Sequence, residues 1–403
     1  MKLIKRPQYL DKIRPFIGKN LIKVLTGQRR VGKTYFLLQI IDEIKTIDAS
    51  ANFIYISKEQ YEFKSLVNDV QLYEYVEKNR VKNVNNYLFI DEIQEIEHFE
   101  LALRYLWQKN YDIYCTGSNA QILSSDLATH LSGRYIEIKI NSLSFVEFLE
   151  FHRLEKTKEN MMKYIKYGGL PYLINLSLDD QTVYGYLINI YHSIILKDVV
   201  SRYQIRDIHF LDRLIEYIAD CLGSYISPKK INDFLKSQHI NLSINTVANY
   251  LTYLCHAFFI QKASRYDIQG KKIFEINNKY YFSDLGLKHV VMPYKPDDIN
   301  KVLENLVYHK LICDDYSVFV GKYGDKEIDF IAWRNNEKIY VQVAYLLANE
   351  QVMEREFGNL LAINDNYPKF VVSADDYAFG NYKGIKHLHI LDFLCLKNIA
   401  AEQ

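Results

Sequence analysis

Cysteine is scarce and scattered. Cys115, Cys221, Cys255, Cys313 and Cys395 lie far apart, with no CxxC pair and no Cys/His group at zinc spacing. That argues against a disulfide framework or a zinc module and suits reduced thiols in a cytoplasmic protein. No apolar run reaches the length needed to span a bilayer. The opening MKLIKRPQYLDKIRP carries charges throughout, without the apolar stretch of an export signal, so no membrane partner is expected. Neither sign of charge is in excess: 50 Lys and Arg stand against 49 Asp and Glu. No overall field therefore draws the chain to DNA or anionic lipid, and any nucleic-acid surface must be local. A guanine-reading Asn-Lys-x-Asp is also missing, which favours ATP over GTP at a nucleotide site. At 403 residues the chain is too long for one core, and roughly two to four domains are expected.

Against these absences stands one complete motif. Residues 27 to 34 read GQRRVGKT, a match to G-x-x-x-x-G-K-[ST], with the apolar LIKVL before it and the amphipathic YFLLQIIDEI after it. Strand, glycine loop and helix are the setting in which this pattern binds phosphate. Gly27 and Gly32 free the backbone of Gln28, Arg29, Arg30 and Val31 to turn its N–H groups inward. The helix starting near Lys33 aims the positive end of its dipole at the same anion. Lys33 is placed for the β- and γ-phosphates, Thr34 for Mg²⁺, and Tyr35 follows at the loop's end. YLFIDE, residues 87 to 92, is an apolar strand closing on two carboxylates. Asp91 is the expected second magnesium contact, direct or through water, and Glu92 the group that polarises the attacking water. Two acids in that place also suit the first turn of a following helix, HFELALRYLW.

Weaker candidates come next. YDIYCTGSN, residues 111 to 119, reads as another buried strand ending in a polar turn. Thr116, Ser118 and Asn119 are candidates to sense the γ-phosphate, against a plain Gly-Ser-Asn turn. Arg134 stands just before a last strand, where an arginine can stabilise the transition state in cis or across a subunit boundary; a surface arginine is the commoner occupant. A trans role would need a homo-oligomer. Arg6, Tyr9 and Leu10 precede the first strand and suit either a place beside the base or a surface turn.

Strand-like runs at 21 to 26, 52 to 57, 87 to 91, 111 to 116 and 135 to 140 alternate with helical stretches, which predicts a parallel α/β sheet over residues 1–150. Residues 151–220 are helical in period, with Gly168, Gly169 and Pro171 as punctuation, and read as a lid or connector. Over 221–295, Ser227 and Pro228 open a helix, HINLS makes a turn, INTVANYLTYLCHAF is a second helix, and a strand, basic turn and strand follow. That is the order of a winged helix. Ser243, Asn245, Thr246 and Asn249 would face a major groove, with Lys229, Lys230, Arg265, Lys271 and Lys272 near phosphates, unless the module serves only for packing. In 296–403, Glu304 on a helix and Asp329 in a strand precede Gln342, Val343 and Ala344 on a third strand. This order resembles the restriction-endonuclease-like fold, whose metal-dependent members carry E-x-K at that triplet. Gln342 brings no charge and Ala344 no ammonium group, so the expected module is a catalytically inactive one.

Taken together, GQRRVGKT, YLFIDE, TGSN, the SGR at Arg134, YGGLP, LKDVVSRYQIRD at 196 to 207 and EIDF at 327 to 330 resemble a widespread prokaryotic group of AAA-family ATP-binding proteins. In that group a P-loop domain is followed by a winged helix and a C-terminal domain of unknown function with a nuclease-like fold. The resemblance spans nearly the whole chain and implies ATP binding and hydrolysis, with no assigned substrate. Two functions stay open. One is an ATPase whose turnover moves a lid and engages double-stranded DNA or a protein partner; the other is a slow nucleotide-dependent switch or scaffold that binds a protein without DNA coupling.

Overall fold

The computed structural model describes residues 4–120, 131–237, 243–376 and 380–399, and within them leaves out the side chains of residues 274–276. The chain forms two compact units, Met1–Ser142 with His256–Phe258, and Leu143–Cys255 with Phe259–Gln403.

In the first unit, β1 (Ile22–Thr26), β2 (Asn52–Ser57), β3 (Asn86–Asp91), β4 (Asp112–Gly117) and β5 (Tyr135–Lys139) make a sheet in the order β2-β3-β4-β1-β5. Every pairing is parallel. All residues of β1 and β3 are buried, as expected of strands covered on both faces. Ile22, Val24, Ile90, Ile113 and Cys115 join Leu72 and Leu103 of the helices Asp69–Lys78 and Phe99–Gln108 in one core. The parallel direction brings the carboxyl ends of β1, β3 and β4 together, and each ends in a motif picked out by the sequence.

Arg6, Tyr9 and Leu10 are buried rather than in a surface turn. The Arg6 guanidinium donates to the Val31 carbonyl (3.2 Å) and the Asn141 carbonyl (3.0 Å), and the Tyr9 hydroxyl accepts the Asn141 N–H. They fasten the helix Pro7–Ile13 to the back of the glycine loop.

The second unit opens with helices. Ser144 and Glu147 form a reciprocal capping box on Phe145–His152, and Lys158–Tyr167, Asp180–Ser193 and Ile208–Asp220 follow. A π-helical turn, Ile194–Ser201, carries the LKDVVS segment. The glycines of YGGLP serve close backbone approach. A Cβ on Gly168 would meet Asp284 Oδ1 at 2.1 Å, and one on Gly286 would meet the Tyr167 carbonyl at 2.1 Å. Asp284 accepts from Gly169 N–H (2.7 Å) and caps the helix Leu285–Val291 through Leu287 N–H.

The helices Pro228–Ser237 and Ile244–His256 occupy the two stretches expected, although residues 239–242 of the HINLS turn lie outside the described residues. The next strands, β6 (Ile260–Asp267) and β7 (Lys272–Phe282), pair antiparallel. They belong to an eight-stranded sheet with β8 (Ser317–Tyr323), β9 (Lys326–Arg334), β10 (Glu337–Val343), β11 (Lys369–Ser373), β12 (Gly380–Tyr382) and β13 (Ile385–His389), in the order β12-β13-β11-β10-β9-β8-β6-β7. β8, β9 and β10 form an antiparallel meander, and β11 returns parallel to β10 after the helix Glu350–Leu361. β6 runs parallel to β8, pairing Arg265 with Val320 and Asp267 with Lys322, so the sheet is continuous across residue 295. Among the described residues no helix is long and apolar enough to cross a membrane.

Candidate functional site

The loop between β1 and the helix Lys33–Ile47 has the backbone its glycines predict. Gly27 has φ 146°, Arg30 φ 71° and Gly32 φ 94°. A Cβ on Gly27 would meet the Ile140 carbonyl at 2.1 Å, so only glycine fits there. Lys33 folds across the loop and donates from Nζ to the carbonyls of Gly27 (2.9 Å) and Gln28 (3.1 Å), with Glu92 Oε1 at 4.0 Å. Both amide atoms of Gln28 are buried with no hydrogen-bond partner among the described residues, an orphaned polar group in the loop itself. Val31 is buried, Arg29 half-buried, and Arg30 and Tyr35 exposed.

Asp91 closes β3 beside this loop. Thr34 Oγ1 donates to both of its carboxylate oxygens (2.9 and 3.1 Å), Thr116 Oγ1 to Oδ1 (2.6 Å) and Ser57 Oγ to Oδ2 at 3.5 Å. Burial pushes the Asp91 carboxyl above its ordinary pKa; Thr116, Thr34 and Lys33 oppose that, and neighbouring Glu92 adds to it. A hydroxyl and a carboxylate in contact form the hard oxygen pair that magnesium takes, so these residues fit the ion.

Glu92 is held differently. Its backbone lies in the left-handed region at φ 56°, a conformation that costs a non-glycine residue on the order of 1 kcal/mol and is met with at functional sites. Its N–H donates to Thr116 Oγ1 (2.9 Å), and Gln94 Nε2 donates both to its carboxylate and to Ser118 Oγ (3.2 Å). Burial opposes ionisation of Glu92, yet the Lys33 ammonium, Gln94, Arg29 and Ser118 outweigh it and bring its pKa below the ordinary carboxylate value.

Lys33, Thr34, Asp91 and Glu92 are thus assembled with Thr116 and Ser118; Asn119 is fully buried in the turn that follows β4. Two contributors escaped the sequence reading. Gln94 and Ser57 touch the carboxylates directly, and the only hint was a polar residue at the end of an apolar strand or just past the acid pair. Arg134 is not brought to the loop. The β1–β5 register pairs Ile22 with Tyr135, which leaves Arg134 at the opposite end of the sheet, roughly 20 Å from Gly27 at ~3.3 Å per residue. Its guanidinium lies over the Trp107 ring at 4.8 Å. A cis role is therefore corrected by the parallel register, which sends its residue to the amino end of the strands.

In the second unit, Ser243, Asn245 and Asn249 are exposed and Thr246 half-buried. Ser243 Oγ accepts from Thr246 N–H (3.0 Å) and lies 2.8 Å from Thr246 Oγ1, so that pair is engaged in capping its helix, while Asn245 and Asn249 stand one turn apart on its surface.

Residues 19–149 match the AAA domain family, and residues 158–298 match a family described as a domain of unknown function (DUF8612). An uncharacterised protein of Haemophilus influenzae is 37% identical over 400 residues, which is 97% of this chain and 98% of that protein. An uncharacterised protein of Methanocaldococcus jannaschii is 33% identical over 357 residues, 84% of this chain and 77% of that protein. Among solved structures, a Walker-type ATPase of Pyrococcus abyssi is similar in fold, with a TM-score of 0.52 at 16% identity over 72% of this chain and 96% of that one.

Proposed function

The chain belongs to the same family as the uncharacterised H. influenzae and M. jannaschii proteins, with an AAA-type P-loop ATPase domain, and from that premise we propose that it hydrolyses ATP with Mg²⁺ to drive a conformational change. The observation that carries this reading is the meeting of Lys33, Thr34, Asp91 and Glu92 at one end of the parallel sheet. The loop N–H groups and Lys33 bind the β- and γ-phosphates, and Thr34 and Asp91 hold the ion. Magnesium, when bound, neutralises charge on the transferred phosphoryl group. Glu92 is ionised at neutral pH, so it accepts a hydrogen bond from water and aims it. Its lowered pKa makes it a weak base, suited to orienting and polarising that water rather than removing its proton early. Gln94 fixes the carboxylate's direction by bridging it to Ser118.

The second unit is proposed to act on what ATP turnover commands. Two helices followed by the β6–β7 hairpin support a winged helix, and the helix Ile299–Cys313, the β8–β9–β10 meander and the parallel β11 support a nuclease-like module. In this reading Asn245 and Asn249 meet the base edges, while Ser243 and Thr246 present the start of the helix. Limits at 150 and 220 are proposed from the motif order, whereas the one expected at 295 falls inside a continuous sheet.

The test is ATP hydrolysis by the purified protein with and without double-stranded DNA, with Glu92→Gln as the blank. Turnover that vanishes in Glu92→Gln and rises with DNA is the expected result. Tight ATP binding with negligible turnover, unmoved by DNA, would sink the DNA-coupled reading and leave a nucleotide switch that binds a protein partner.

A further inference from the structure

The C-terminal sheet gathers a charged cluster that the P-loop reading does not use. Glu304 on the helix Ile299–Cys313, Glu327 and Asp329 on β9, and Gln342 on β10 converge, and a lysine enters among them from β7. Lys279 is 3% exposed. Its Nζ lies 2.8 Å from Glu304 Oε1 and 2.7 Å from Glu327 Oε1. The Tyr281 hydroxyl donates to the same Glu304 oxygen (2.5 Å). Asp329 accepts from Val343 N–H (2.8 Å), and its own N–H donates to Gln342 Oε1 (3.3 Å). Gly223, at φ 70°, leaves room beside Glu304, whose Oε2 would lie 2.9 Å from a Cβ there.

This is where a metal-dependent member of the nuclease-like fold would gather carboxylates around a divalent cation. With the Lys279 ammonium seated between Glu304 and Glu327, the donor set does not fit one. The third strand offers an amide and an alanine in place of a carboxylate and an ammonium group. Among the described residues no group of three or more His, Cys, Asp or Glu side chains is arranged to hold a metal ion. The buried centre already has a cation of its own. Burial opposes the charge on Lys279, but Glu304, Asp329 and Glu327 outweigh it and hold the ammonium group above the ordinary lysine pKa.

We propose that the Lys279 ammonium takes the place of the divalent cation, so that the module binds no metal, catalyses no metal-dependent cleavage, and uses the former metal centre to tie β7 to β9 and the helix Ile299–Cys313. The proposal rests on the nuclease-like reading of this sheet. A lysine is well suited to the task because its ammonium donates to both Glu304 and Glu327, whereas a cation from solution would have to compete with a charge covalently fixed in the site.

The test uses the full-length chain without nucleotide, in a Thr34→Ala background that disables the P-loop ion site. Mn²⁺ is titrated by calorimetry and electron paramagnetic resonance, and Tm is followed in parallel. The parent chain is expected to show no saturable Mn²⁺ binding that Glu304→Gln removes. Lys279→Met is expected to melt lower and to gain a saturable Mn²⁺ site that restores Tm and disappears with Glu304→Gln. Saturable Mn²⁺ binding by the parent, lost in Glu304→Gln, would overturn the proposal while leaving the nuclease-like fold intact. A folded Lys279→Met chain that takes up no Mn²⁺ would remove both. If Lys279→Met folds only with Mn²⁺, the proposal stands; if it folds under neither condition, the parent titration decides by the same criterion.

Discussion

At the scale of single residues, Thr116 controls more than its place near the end of β4 suggests. Its one hydroxyl donates to Asp91 and accepts from the Glu92 backbone, joining the two acids. Thr116→Val keeps the shape and removes both bonds. It is expected to lower kcat about 10–100-fold, the usual effect of a partner that orients a metal-site ligand, with much less change in nucleotide affinity. Single-turnover kinetics beside equilibrium binding of a non-hydrolysable analogue checks the split. Lys33, Thr34, Asp91 and Glu92 were legible because a local pattern specifies each. Thr116 was named from the sequence only as a candidate γ-phosphate sensor, and Gln94 was missed, because their partners are set by strand register and by a left-handed turn at Glu92. Arg134 shows the converse. Its position before a strand suggested chemistry, and the direction of that strand carries it away. Arg134→Ala is expected to keep wild-type kcat in dilute protein, measured across a range of protein concentrations. A loss at every concentration would contradict that, and a loss only where chains associate would point to a trans contact.

At the scale of elements, the YGGLP segment is a joint. Gly168 and Gly286 each lie where the backbone or capping carboxylate of the other segment fills the space of a Cβ, and Asp284 bonds across them. Gly286→Ala pushes a methyl group into the Tyr167 carbonyl. The expected cost is about 1–3 kcal/mol, as for other overpacked interiors, read as a lower urea midpoint with unchanged slope. The sequence showed Gly168 and Gly169 as punctuation between helices, which they are, but the Asp284 segment they meet lies more than a hundred residues away. The five strands of the first sheet were visible because each is a short apolar run between helical periods. The β6–β7 hairpin was visible for the same reason, while the partner of β6 was not. Its parallel contact with β8 joins only three residue pairs, and no local pattern announces it.

At the scale of the whole molecule, stability is tied to pH by buried imidazoles. Burial, with help from the Lys288 ammonium, depresses His289 from the ordinary 6.5 to about 4, and burial alone brings His152 to about 4. Above pH 6.5 both are neutral in the folded and unfolded chain. As pH falls from there toward 4, the unfolded chain takes up protons that the folded one refuses. The stability present at neutral pH is then lost, by up to about 1.4 kcal/mol per pH unit for the nearly fully buried His289. Tm should decline through that window, and His289→Gln, whose amide does not titrate, should flatten part of the decline. A Tm profile unchanged by the substitution would contradict the assignment.

The strand order of the second sheet carries a practical warning for anyone wishing to dissect the chain. Cutting after residue 295 looks natural from the motif order, since a winged helix would end there. The cut would strip β8 from β6 and uncover the backbone N–H and C=O groups of Arg265, Tyr266 and Asp267. An exposed strand margin of this kind recruits other chains. A fragment ending at 295 would therefore tend to self-associate, and the apparent oligomers would be made by the scissors.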